Sequence, residues 1–540
     1  MVALCLLSFV EPLGAQTVNT GATFGEVINL GGEPRDLVLD ELRGRVYLVN
    51  ANANRVDIYN YREKRLENPI SVGNQPIAAA LSMDNAFLYV TNNASSTLVQ
   101  IDLGRDQISN VVSLPARPEG VAVGVDGRVL ITTQGTGIGN TANTLLLFDP
   151  RQDSALQLTQ VPTPATLGTP NPLPPVVVGR PALAFPGRLA RTPDGNFIIG
   201  MVAINQSTNQ ASTVLFVYEV ASGTVLRNRS VTGQSTVLAV SPDGARFMAG
   251  STLYETASLS VQGQFNVANL PFFLNGNFSQ GFNNQFNDGG SAFSPDAETL
   301  YAAFNNAAGT AAPVANVLLV ANSRNLGSRL GIKLPESIRG RLVISSDGAD
   351  IFAISNSGIL YLPVSTLFDY PILQPDATQI FLAIDDCNRG IARTAVRIGN
   401  LGKGRLTFAV PNPGAALVAQ ISTGVAPATI TLVMEPGRSG VTRQAGTNLY
   451  TGASTNTGNP LNIVLSSLDA INLPPAIRVY MNFRNPDQRG VVYPIPTNPN
   501  NNAQGLIDMV LDEGRGRLYI TNAGFNRIEV FDTRRQRLLE

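Results

Sequence analysis

One phrase, repeated along the chain, governs what it can fold into. Asp36–Asn50 followed by Arg55–Tyr59 reads as a short apolar strand, an Asp-containing tight turn, a second strand ending in Asn, a polar loop and a third strand. Ile77–Asn92 followed by Thr97–Asp102 has the same grammar. It returns at Gly120–Thr132, Arg188–Ile199, Val237–Met248, Ser291–Tyr301 and Arg341–Phe352, which makes seven copies between about residues 33 and 373. Most are about 40 to 60 residues apart, and units of that length with three or four short strands are the mark of propeller blades. One such unit leaves an apolar face uncovered, so the set must close into a ring.

The closure is legible. The seventh copy supplies strands at Leu342–Ser345, Ile351–Ser355 and Ile359–Val364, and Phe24–Leu30 precedes the first copy where an outer strand belongs. The N-terminal strand is therefore expected to complete the seventh blade and remove a free sheet edge. Asp126, Asp194, Asp243 and Asp347 each precede Gly, which suits hairpin turns: Gly adopts φ > 0 freely, and Asp bonds the backbone ahead of it. Asn50–Asn54 and Asn92-Asn93 follow second strands and suit turns that tolerate the left-handed region.

Tyr89-Val90-Thr91-Asn92 spells a signature, Tyr519-Ile520-Thr521-Asn522 nearly repeats it, and Tyr47–Asn50 is a looser copy. On these residues the chain resembles the YVTN family of β-propeller repeats found in bacterial surface-layer and exported proteins, related in style to NHL repeats. The resemblance covers roughly two thirds of the chain. It implies a propeller, and little about activity, because propellers host enzymes and scaffolds alike.

From about 374 to 490 the turn grammar changes, and Ala395–Asn400, Arg405–Val410, Ala428–Val433 and Ile477–Asn482 alternate like sandwich strands. Val396–Phe408 resembles the strand, Gly-rich turn and strand of bacterial immunoglobulin-like and BACON-type domains, for which a spacer role is expected. The opening phrase then returns: Asp508–Asn522 and Arg527–Phe531 match Asp36–Asn50 and Arg55–Tyr59 without a gap, and Val491–Pro496 sits where a closing outer strand belongs. Asn498–Asn502 reads as the loop leading in. The expected order is a signal peptide at 1–16, a seven-bladed β-propeller at 22–373, an immunoglobulin-like β-sandwich at 374–490 and the first blade of a second, truncated propeller at 491–540, all-β throughout.

Val2–Val10 is an apolar run, followed by small residues before Gln16, which is the layout of a signal peptide without its basic start. The run is too short to span a membrane. Cys5 would leave with it, and Cys387 alone makes no intramolecular disulfide. Export to the periplasm, cell surface or medium is expected. The 38 basic and 39 acidic residues leave no excess with which to neutralise nucleic-acid phosphates.

The composition also carries a zero: there is no histidine. That removes Ser-His and Cys-His nucleophiles, a His general base and His metal ligands. Carboxylate chemistry, oxygen-ligand cation sites or pure binding remain. Arg35, Arg117, Arg188 and Arg339 lie in loops entering the innermost strands, where a ring of guanidinium groups suits carboxylates or phosphates. The alternative is that each braces blades by pairing with Glu33, Glu119 or Glu336. The Asp-Gly turns lack Asp-x-Asp-x-Asp spacing and read as hairpin chemistry, so a Ca2+ site has no motif. Asp385-Asp386-Cys387 reads as a solvated linker. The expected function is a non-enzymatic, monomeric binding or display scaffold for protein or carbohydrate, without catalytic residues, metal or cofactor. The alternatives are a cation-dependent hydrolase resembling the propeller lactonases, and a carbohydrate-binding module with exposed aromatic platforms.

Overall fold

The computed structural model describes residues 21–32, 34–134, 145–153, 157–161, 187–207, 210–232, 237–274, 289–304, 316–385, 392–411, 417–434, 442–443, 450–451, 461–484, 493, 495 and 505–539. Residues 1–16, read as a signal peptide, and Glu33, Asp386, Cys387 and Asn498–Asn502 fall outside them.

Among the described residues, seven four-stranded antiparallel sheets follow one another through the first two thirds of the chain. Their innermost strands are Pro34–Asp40, Pro76–Leu81, Arg117–Val123, Arg188–Arg191, Leu238–Val240, Ser291–Phe293 and Ile338–Ile344. Each touches the next, and the last touches the first, so the sheets stand in a ring. This is a β-propeller. Among the described residues, the helical elements are two short 3-10 turns, Val267–Asn269 and Val364–Asp369.

The sequence builds this ring because its middle strands are apolar on both faces. Arg45–Asn50 and Phe87–Asn92 are buried from their second residue onward, while the outer strand Arg65–Ser71 is mostly exposed. A strand buried on both sides needs a neighbouring sheet on each. Tyr47, Val49, Val56 and Ile58 of the first sheet pack on Ala79, Leu81, Leu88 and Val90 of the second. On the other face, Leu37, Val46 and Leu48 pack on Phe352, Ile354 and Ile359 of the seventh. The cores thus lie between sheets, and each side chain fully buried there contributes about 1.5–3 kcal/mol.

The seventh sheet is completed from the N-terminus. Glu26–Asn29 pairs antiparallel with Gly358–Leu362, with Ile28 opposite Ile359. Just before it, the Phe24 N–H bonds the Lys333 carbonyl at 2.8 Å, and the Ala22 N–H bonds Leu468 O at 2.8 Å. The entering chain therefore ties the sixth and seventh sheets to the following domain.

Inner and second strands are joined by a recurring turn. In five sheets a Ser or Thr stands two residues before the turn Asp and donates its hydroxyl to it: Ser82 to Asp84 (2.6 Å), Thr192 to Asp194 (2.5 Å), Ser241 to Asp243, Ser294 to Asp296 (2.5 Å) and Ser345 to Asp347 (2.5 Å). The same Asp accepts the backbone N–H two residues ahead, as from Ala86, Asn196 and Ala349. The residue after the Asp has positive φ. It is Gly195, Gly244 or Gly348 in three turns, but Asn85 (φ 56°) and Ala297 (φ 58°) in the others. Ala297→Gly is expected to stabilise the chain by about 0.5–1 kcal/mol, because the left-handed region penalises a Cβ. A urea denaturation series that shows Ala297→Gly to be destabilising would contradict that reading.

Leu373–Pro375 leaves the ring and joins Ala392–Asn400, Ala428–Met434 and Leu417–Gln420 in one sheet; Gln379–Asp385, Ile477–Arg484 and Leu461–Ile463 form a second. Leu373, Val396, Ile398, Ile430 and Leu432 of the first share a core with Ile380, Leu382, Ile463, Ile477 and Val479 of the second. The segment near Asn472 clamps this unit to the propeller: Lys333 N–H bonds Ile471 O, Leu473 N–H bonds Gly331 O, and the Asn472 amide exchanges two bonds with Leu373. It covers the outer edge of the sixth sheet, which would otherwise be open for pairing.

Leu506–Asp512, Arg517–Asn522, Arg527–Asp532 and Arg537–Leu539 make one more four-stranded sheet. Its inner strand reproduces that of the first sheet in sequence but not in burial. Met509 and Val510 are 65% and 64% exposed, where the matching Leu37 and Val38 are 0% and 8% exposed.

Candidate functional site

The inner strands do not run evenly into the channel. A β-bulge interrupts the pairing between Pro34 and Asp36, Pro76 and Ala78, Pro118 and Val121, and Ile338 and Leu342, all at the entering end of the strand. A bulge breaks the ladder, leaves backbone groups without their strand partner and re-aims side chains. The residues displaced here are Arg35, Ile77, Glu119-Gly120 and Arg339–Arg341. Pro34, Pro76 and Pro118 each stand just before a bulge, at strand starts where Pro costs no ladder bond.

Side chains take over the displaced backbone groups. Thr91 donates its hydroxyl to the Glu119 carbonyl of the next sheet (2.7 Å), with Ala78 O also within 3.3 Å. Thr132 accepts the Gly120 N–H at 2.7 Å, and Thr521 accepts that of Asp508 at 2.8 Å. The third residue of the Tyr-Val-Thr-Asn phrase is thus the hydroxyl that repairs a bulge. The Asn that follows it turns to the third strand instead. Asn50 bonds Asp57 (2.7 Å), which pairs with Arg55 (2.7 Å), and Asn522, Glu529 and Arg527 repeat the trio at 2.8 and 2.6 Å.

Arg188, on the fourth sheet, crosses the channel. It donates to the Arg35 carbonyl at 2.8 Å and the Ile77 carbonyl at 3.1 Å, both of them bulge residues. Three residues further along the strand, Arg191 donates to Leu81 O at 2.8 Å. Asp36 stands between Arg188 (3.7 Å) and Arg341 (3.8 Å), while its oxygens accept the N–H groups of Leu37 and Ala79. Glu119 is fully buried and accepts the Gly187 N–H at 2.7 Å. Burial holds Arg188 below the ordinary guanidinium range; Asp36 opposes this, while Arg341 and Arg35 add to it. Arg191 is lowered for the same reason, burial first and then Arg341.

Of the four arginines singled out in the sequence, the structure brings Arg35 and Arg188 together. Arg117 is exposed, and Arg339 is exposed beside Asn356, to which it donates. The four therefore do not form one ring. Glu336 bonds Ser355 and Ser357. Arg191, Arg341 and Asp36 complete the cluster and were missed, although Arg341 lies two residues from Arg339. The signal available was the Pro that stands before three of the four bulges.

The turn aspartates are held below the usual carboxylate range, chiefly by the Ser or Thr hydroxyl, in Asp84, Asp194, Asp243, Asp296 and Asp347. A depressed folded-state value stabilises the fold above the unfolded value near 3.9, and that stability is lost as pH falls through the folded value. With no histidine, no side-chain type in the chain has its ordinary value between about pH 5.5 and 7.5. The thermal midpoint is therefore expected to be flat across that window and to fall below about pH 4. A midpoint that rises on acidification would contradict the turn assignment. Among the described residues, no three Asp, Glu or Cys side chains gather as a metal site, and no helix is long and apolar enough to cross a membrane.

No family model matches the chain, and no curated protein is similar to it in sequence. Solved structures similar in shape include Kuenenia stuttgartiensis hydrazine synthase, at 16% identity and TM-score 0.46, covering 64% of this chain and 99% of that one. Another is the β-propeller domain of Myceliophteria thermophila Cps50 (Swd1), at 12% identity and TM-score 0.42, with the same coverages. The propeller assignment stands on the sheets and their cyclic contacts.

Proposed function

We propose that the chain is an exported, non-catalytic binding or display scaffold of the YVTN repeat type, acting as a monomer on protein or glycan partners at the bacterial surface. One observation carries this reading: the carboxylates near the channel and in the turns are engaged in bracing. Asp36 and Glu119 hold backbone N–H groups, and each turn Asp holds a hydroxyl and an N–H. Charge at the channel mouth is left to guanidinium groups, which suit recognition rather than cation-assisted hydrolysis. The two sheets at 373–484 serve as an immunoglobulin-like spacer. The exposed large aromatics among the described residues, Phe368 and Tyr370, lie in the connection before them rather than on a sheet face.

The test is to titrate the full chain with Ca2+, Mg2+ and Mn2+ while following its thermal midpoint and its turnover of a lactone and ester panel. The scaffold reading expects no saturable shift and no cation-dependent hydrolysis. Saturable stabilisation coupled to turnover would establish a hydrolase instead.

A further inference from the structure

We infer that the channel mouth binds a small oxyanion, a carboxylate or phosphoryl group, between Arg341, Arg188, Arg35 and Arg191. The guanidinium groups of Arg188 and Arg341 flank Asp36, those of Arg35 and Arg191 lie within electrostatic reach of Arg188 and Arg341 respectively, and Glu119 is the second carboxylate there, among the described residues. Both carboxylates spend oxygens on backbone N–H groups, and neither guanidinium of the Asp36 pair comes closer to it than 3.7 Å.

The four are not equivalent. Arg188 and Arg191 are committed to backbone carbonyls across the channel. Arg341 is set by the bulge of the seventh sheet, is 39% exposed, and among the described residues has Asp36 at 3.8 Å as its ion-pair partner. It is the group placed to swing its planar fork onto an incoming anion, with Arg188 and Arg35 behind it. Packed guanidinium groups in a partly desolvated recess raise one another's electrostatic cost, and an oxyanion relieves it. The lowered positions of Arg188 and Arg191 agree with that crowding. This site is independent of the scaffold reading, since a scaffold or a hydrolase could carry it.

The experiment uses the full chain and three probes at matched ionic strength: sodium phosphate, sodium acetate and sodium chloride. Binding to the folded state alone raises the thermal midpoint with ligand concentration. Phosphate, acetate or both are expected to stabilise the wild type saturably beyond chloride, and which of them does so identifies the phosphoryl or carboxylate source. Arg341→Gln, which removes no bond to a backbone carbonyl, should weaken that binding about tenfold or more. Arg324→Gln, on an exposed turn of the sixth sheet, should leave it unchanged. No stabilisation beyond chloride, unchanged binding in Arg341→Gln, or equal loss in Arg324→Gln would each overturn the proposal.

Discussion

Ile28→Pro opens the ring. The Leu30 N–H bonds Ser357 O at 2.8 Å, so the alternation of an antiparallel pair directs the N–H groups of Ile28 and Glu26 toward Gly358–Leu362 as well. Those of Val27 and Asn29 point away. Proline at 28 removes a ladder bond and places its ring against the partner strand, at a cost of about 3 kcal/mol or more. The strand left at the edge carries Ile359, Leu360 and Leu362, each fully buried in the closed ring. An uncovered apolar edge pairs with other chains, so the variant is expected to lose its cooperative transition and elute as aggregate in size-exclusion chromatography. Val27→Pro, one residue away with its N–H turned outward, should stay soluble and folded. If both variants behave alike, the N-terminal strand does not close the ring in this register.

Arg188→Leu is the second large effect. The arginine satisfies two carbonyls that the bulges at Arg35 and Ile77 take out of their ladders, and it does so from the far side of the channel. Hydrogen bonds from a charged donor contribute roughly 1.5–3 kcal/mol each, and a buried acceptor left without a donor costs about 1–3 kcal/mol. The side chain is 23% exposed, so water recovers part of this and a net loss of about 3 kcal/mol is expected in urea denaturation. Arg188→Lys, with one point donor instead of a fork, should fall between the two. The exposed Arg117→Leu should stay within about 0.5 kcal/mol of wild type. An Arg188→Leu protein as stable as wild type would mean that the guanidinium does not brace the first, second and fourth sheets.

The ring was readable because its information is local. A phrase of apolar strand, Asp turn and apolar strand states both the sheet and its need for neighbours, and Phe24–Leu30 states where an unmatched strand must go. The turns were half readable. Asp-Gly announced the left-handed residue, but the Ser or Thr two positions earlier went unread as the carboxylate's partner, as did the left-handed backbone at Asn85 and Ala297, which are not Gly. The arginine cluster was legible only in part because its geometry is not local. Arg188 reaches Arg35 over 153 residues of sequence and Ile77 over 111. Which arginine reaches the axis depends on the bulge that re-aims it. Arg339 and Arg341 flank one Gly, yet only Arg341 stands beside Asp36. A count of guanidinium groups in entering loops cannot make that distinction.

The role of the C-terminal sheet follows from the same comparison. Asp508 bonds the Met509 N–H at 2.8 Å just as Asp36 bonds that of Leu37 at 3.0 Å. The second oxygen of Asp36 takes the Ala79 N–H of the adjoining sheet. The repeat therefore encodes its own sheet and, separately, the surface offered to the next.

Closure of the ring by the N-terminal strand is the claim on which the channel, its bulges and its arginines depend. Hydrogen exchange followed by mass spectrometry on the full chain addresses it directly. Peptides spanning Glu26–Asn29 should keep two slow amides, those of Glu26 and Ile28, as protected as the ladder amides of Gly358–Leu362, and Ile28→Pro should release both strands together. Exchange of the Glu26 and Ile28 amides within seconds, with Gly358–Leu362 still protected, would contradict it.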